Sequence, residues 1–145
     1  MQITPPPEFT STAIFQRRAL LLAQLLYDHW EEKSGFDTRF FHMPLIRNEW
    51  VLRGRSIKGE GYGEHIVPRV LIRDECLKMY DRGESLMAVR DAIVAHLGIV
   101  MISREEAHHL DHVRGWKTTM PPGWRFGVDD PMARITDAGI ILAVA

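Results

Sequence analysis

The sequence predicts an α+β fold, a mainly helical single domain with a small β-hairpin. Three observations lead there. Apolar residues recur at helical spacing in three separate segments. Between Arg39 and Tyr62 aromatic and β-branched residues instead alternate with polar ones, punctuated by Gly54, Gly59, Gly61 and then Gly63. Finally, Ile99-Val100-Met101-Ile102 is a short, wholly apolar run between Gly98 and Ser103, the texture of a buried strand.

Each element follows in order. Beyond a Pro-rich start, Thr10-Ser11-Thr12 offers an N-cap, and Phe15, Ala19, Leu22, Leu26 and Trp30 predict an amphipathic helix over about residues 11–34. Glu49 to Ile57 reads as a strand and the glycines after it as a turn. Tyr62 to Val67 is expected to be extended, since the residue before Pro68 is kept out of the helical region. Pro68 then opens a helix with Ile72, Cys76, Leu77 and Tyr80 on its apolar face and Gly83 at its end. A further helix from Ser85 carries Leu86, Val89, Ile93 and Leu97. Ser103-Arg104-Glu105-Glu106 is a capping box, so another helix starts there and runs through His112. Met120-Pro121-Pro122-Gly123-Trp124 predicts a loop, and Pro131 to Ala145 a short helix followed by an apolar strand or cap. No internal repeat or linker divides the 145 residues, a length that supports one ordinary core.

A net charge of −1 argues against nucleic-acid binding through bulk charge. The charge is unevenly placed, however. From Arg39 to Arg73 seven basic residues (Arg39, Arg47, Arg53, Arg55, Lys58, Arg69, Arg73) face three acids, a local +4 able to meet phosphates or simply to decorate a solvated hairpin. Met1 to Pro7 lacks a basic start followed by an apolar stretch, and no apolar run approaches the roughly 18–20 residues of a membrane span. The single cysteine, Cys76, sits among helix-period apolar residues and reads as a buried structural thiol. The expectation is therefore a non-secreted, cytoplasmic protein that does not enter membranes.

Two clusters join an acid to histidines at element ends. One is Glu64-His65; the other is His108, His109, Asp111 and His112, where His108 and His112 share a helix face at a spacing that lets two imidazoles reach one metal ion. A solvated helix rich in Glu and His has the same composition.

The string Glu64-His65-Ile66-Val67-Pro68 resembles the acid-His-Ile-Val-Pro stretch that ends the first strand of the HNH, or ββα-metal, nucleases. The resemblance covers about residues 49–112 as a ββα-metal-like core, with residues 113–145 as a C-terminal cap. It implies Ile99 to Ile102 as the second strand and Glu105 to His112 as the motif helix, with two helices inserted between the strands. It also implies an endonuclease in which Glu64 holds a divalent metal ion (Mg, Mn, Ni or Zn) together with a helix histidine, His108 or alternatively His109 or His112. His65 is then the general base.

Such a site has a consistent chemistry. Phosphodiester hydrolysis needs a nucleophile made from water and charge stabilisation at phosphorus, and an imidazole with an ordinary pKa near 6.5 accepts the water proton at neutral pH. Arg53, Arg55 and Lys58 would hold the backbone of nucleic acid, DNA ahead of RNA. The competing reading is a non-catalytic partner-binding, inhibitor or adaptor protein with a solvated His-rich helix, whose four tryptophans fill the core or a protein interface. A zinc hydrolase built on His108, His112 and Glu64 ranks below both, because the helix lacks a His-Glu-x-x-His arrangement.

Overall fold

The computed structural model describes residues 10–59 and 61–144; the Pro-rich start, Glu60 and Ala145 lie outside them. Its architecture is α+β and mainly helical, a layer of helices packed against a small three-stranded mixed sheet. No helix among the described residues is long and apolar enough to cross a membrane.

The longest element is α1 (Ser11–Glu32), capped by the Thr10 hydroxyl, which accepts a hydrogen bond from the Ala13 amide. Its buried stripe is Phe15, Ala19, Leu22, Ala23 and Leu26, the face that the spacing predicts. That stripe packs chiefly on α4 (Leu86–His96) and also on α3 (Arg69–Asp81). The Tyr80 hydroxyl satisfies the Ala23 carbonyl at 2.6 Å across the α1–α3 contact. Cys76 is a free, buried thiol on α3 whose pKa burial pushes up to about 12, as expected of an inert structural cysteine.

The sheet differs from the hairpin that the sequence suggests. Strands β1 (Leu52–Arg55) and β2 (Tyr62–His65) do not pair with each other; both flank β3 (Ile99–Ile102), β1 in parallel and β2 antiparallel. The most apolar strand takes the centre, where both edges are covered. Between β1 and β2 the chain crosses the end of β3, with the Ser56 amide donating to the Met101 carbonyl. Gly59 passes so close that a Cβ there would lie 2.4 Å from that same carbonyl oxygen. The predicted strand from Glu49 is also shortened. Asn48–Val51 is a single helical turn, α2, which sends Val51 into the core. A short mixed apolar stretch satisfies either period, and burial of Val51 decides between them.

After β3 the Ser103 capping box forms as predicted, with Ser103 Oγ accepting from the Glu106 amide and Glu106 accepting from the Ser103 amide. The Glu106 carboxylate also accepts from the Ser56 hydroxyl at 2.6 Å, tying the box to the sheet. Ser103→Ala should therefore cost about 1 kcal/mol in chemical denaturation. Glu106→Ala should cost more, because Ser56 is then left buried without its acceptor; equal losses would contradict this coupling.

The helix begins as α5 (Arg104–His108), lies against β2, and widens into a π-helical turn over His109–Val113, in which the Arg114 amide reaches the His109 carbonyl. The loop around Pro121 is present, and the tail forms a short helix, α6 (Ala133–Asp137), followed by an extended segment bridging Ser56 through Leu142.

Candidate functional site

A cleft of about 410 Å³ opens where the end of β2, the start of α3, the π turn and the 117–118 loop meet. Glu64, His65, Arg69, Asp111, Lys117 and Arg134 line it, with Tyr62, Thr38 and Thr118 among the residues at its wall. Strand alternation turns Glu64 inward opposite Val100, while His65, at the strand's end, borders the cleft.

The floor is held by Arg134, which is 1% exposed. Its Nη2 donates to Glu64 Oε1 at 2.5 Å, its Nη1 to the His65 carbonyl at 2.8 Å and its Nε to the Trp116 carbonyl at 2.7 Å. Asp111 Oδ1 lies 3.9 Å from the same Nη2. One guanidinium thus joins α6, β2, the π turn and the loop after Gly115. Burial pushes the Glu64 carboxyl above its ordinary value, with Arg134 pulling it back and Asp111 adding to the rise.

His65 is different. Its ring nitrogens have no hydrogen-bond partner among the described residues, and its pKa is lowered to about 4 by burial first, then by Arg69, His42 and Arg134. At neutral pH it is an uncharged imidazole beside a cationic wall. Because its folded pKa lies below the ordinary 6.5, the unfolded chain binds the proton first between pH 6.5 and 4. Stability contributed by neutral His65 is full above that window and is lost as pH falls through it, by up to about 3 kcal/mol. The buried His96 adds a loss of the same sign. Denaturation of the wild type should show this slope, and His65→Gln should flatten it; parallel curves would contradict it.

The second cluster does not join the first. His108 and His112 are exposed and face each other, ring centroids 4.7 Å apart, and His109 accepts from Arg114 Nε. None of the three lines the cleft. Helical spacing fixes which residues share a face, not which way that face points: His108 and His112 do share one, but burial of Ala107 and Leu110 leaves it in solvent, and Asp111 is the residue of this segment that lines the cleft. Among the described residues no three of His, Cys, Asp and Glu gather where they could hold a metal ion. The position between the Glu64 and Asp111 carboxylates is taken by the Arg134 guanidinium, so this donor set does not fit a divalent ion.

The expected phosphate-binding residues are also redistributed. Arg53 donates to the Val94 and Ala95 carbonyls and so caps the end of α4; Arg55 reaches the Gly59 carbonyl, and Lys58 lies near Glu106. The cleft's cations are Arg69, Lys117 and Arg134. Arg69 belongs to the basic stretch visible in the sequence, whereas Lys117 and Arg134 carry no local signal, and an arginine between Ala133 and Ile135 reads simply as the polar face of a short helix.

Fold and site together define an α+β domain with a polar cleft that pairs a neutral imidazole with basic side chains. In comparisons with family models, curated proteins and solved structures, the chain has no significant match.

Proposed function

We propose that this protein cleaves phosphodiester bonds in nucleic acid, with His65 as the general base. The observation that carries the reading is the unpartnered, neutral His65 imidazole in a cleft walled by Arg69 and Lys117. The antiparallel β2–β3 pair followed by α5 against β2 supports the resemblance to the ββα nucleases.

In this mechanism a substrate phosphate enters the cleft and is held by Arg69 and Lys117, which neutralise charge developing on its oxygens. Its negative charge offsets the smaller part of the depression, due to Arg69 and Arg134, so the imidazole's basicity rises when substrate is bound, while the larger part, due to burial, stays. His65 then takes the proton of the attacking water as its oxygen bonds to phosphorus, the ester P–O bond opposite breaks, and the leaving alkoxide takes a proton from solvent at the open mouth of the cleft. Glu64 and Asp111 stay with Arg134, which keeps the His65 backbone in place through the 2.8 Å bond to its carbonyl. No step is routed through a divalent ion.

The test is direct incubation of purified protein with supercoiled plasmid, single-stranded DNA and RNA, in EDTA and with Mg²⁺, Mn²⁺, Ni²⁺ or Zn²⁺. Cleavage of at least one substrate is expected, and cleavage surviving EDTA supports the guanidinium-based site. Intact substrates under every condition would remove the proposal. The second reading, a partner-binding protein without catalysis, is favoured by the apolar surface beside β1, where Leu52, Ile57 and Ile141 are each at least half exposed.

A further inference from the structure

A second basic groove, of about 620 Å³, lies between α1 and the segment that leads into α2. Among the described residues it shares no lining residue with the His65 cleft. Arg17, Arg18 and Arg47 line it together with Trp50, Leu21 and Pro44, and among the described residues no acidic one does.

Two of these arginines differ from several others on the surface. Arg39, Arg73, Arg82, Arg90 and Arg125 each hold a nearby carboxylate. Among the described residues Arg17 and Arg18 have neither an ion pair nor a hydrogen bond; Arg18 instead lies over the Trp50 ring, its guanidinium carbon 5.9 Å from the centroid. Arg47 reaches Glu49 at 3.3 Å, but both side chains are more than half exposed, so the pair holds it weakly. Trp50 itself is half-buried, packed against the core and lining the groove.

We propose that this groove binds single-stranded nucleic acid, with phosphates on Arg17, Arg18 and Arg47 and a base stacked at Trp50. Guanidinium groups match phosphate oxygens in a forked geometry and resist neutralisation. A π face beside them selects a flat unit, which an acidic peptide lacks and a duplex keeps inside its stack. The groove's charge is concentrated while the chain as a whole is near neutral, so attraction is local. This site does not depend on the reading of the His65 cleft.

Fluorescence anisotropy with a labelled oligothymidylate tests it, using the native chain and, to keep the oligonucleotide intact, the His65→Ala chain. Both should bind alike. The double substitution Arg17→Gln/Arg18→Gln should weaken binding at least about tenfold and lessen the slope of log affinity against log salt by about 1.4, the loss of two phosphate contacts to a single strand. Trp50→Leu should weaken binding several-fold with the salt slope unchanged, and Trp50→Phe should retain most of it. Both arginines are at the surface, so circular dichroism should show unchanged helix content. The proposal is overturned if polyglutamate or duplex DNA binds as tightly as the oligothymidylate, or if either the arginine pair or Trp50→Leu leaves affinity unchanged. Failure of cleavage with retained, groove-dependent binding would reject the catalytic reading alone.

Discussion

Replacing Arg134 by methionine should lower the free energy of unfolding by about 3–5 kcal/mol, the loss expected when one partner of a buried ion pair is removed. The loss has several sources. Glu64, 9% exposed, is left with an uncompensated buried carboxylate, and the His65 and Trp116 carbonyls lose their donor. Helix α6 also loses its polar anchor to β2. The pH dependence identifies the cause. Without the guanidinium the Glu64 pKa rises further, and a carboxyl whose folded pKa is raised contributes stability at low pH that is lost as pH rises through it. The deficit of Arg134→Met should therefore be smallest in acid and grow towards neutrality. Adding Glu64→Leu should recover part of it, because no charge is then stranded. Urea denaturation of the two single variants and the double variant measures this cycle; a loss under about 1 kcal/mol, or no recovery in the double variant, would show that the pair does not hold the floor of the cleft.

His65→Ala should reduce cleavage by about 10²- to 10⁴-fold, the usual contribution of a general base. The effect should fall on kcat with little change in KM, since the phosphate is held by Arg69 and Lys117 rather than by the imidazole. Arg69→Gln and Lys117→Gln should instead raise KM. The wild-type profile of kcat/KM against pH should keep its activity well below pH 6 and fall off on an acid limb near 4, the value to which burial and Arg69 lower His65 in the free protein. An unaltered rate in His65→Ala would assign the chemistry elsewhere. An acid limb near 6.5 would contradict the burial of the imidazole.

Much of the framework is legible along the chain because its causes are local. The stripe from Phe15 to Leu26, the Ser103–Glu106 box and the apolar run at Ile99 are each set by residues within a few positions of one another, and each forms as its pattern requires. Local patterns are silent on strand partners. Leu52–Arg55 and Tyr62–His65 lie near each other in sequence, yet both pair with β3 because it is the strand that gains most from being covered.

The site divides in the same way. Glu64-His65 stands out in the sequence as a polar pair closing a strand, and it does border the cleft. Its surroundings come from residues far away: Arg134 is separated from Glu64 by 70 positions and meets it through α6. The helix histidines share the face that their spacing predicts, but burial of Ala107 and Leu110 leaves that face in solvent, and Asp111 is the residue of the segment that lines the cleft. Order along the chain was enough for helix faces and caps, whose hydrogen bonds and packing close within one or two turns. The charge environment of His65, and with it the chemistry open to the cleft, was decided only when distant cations were brought to one buried place, because electrostatic strength depends on separation and burial in space.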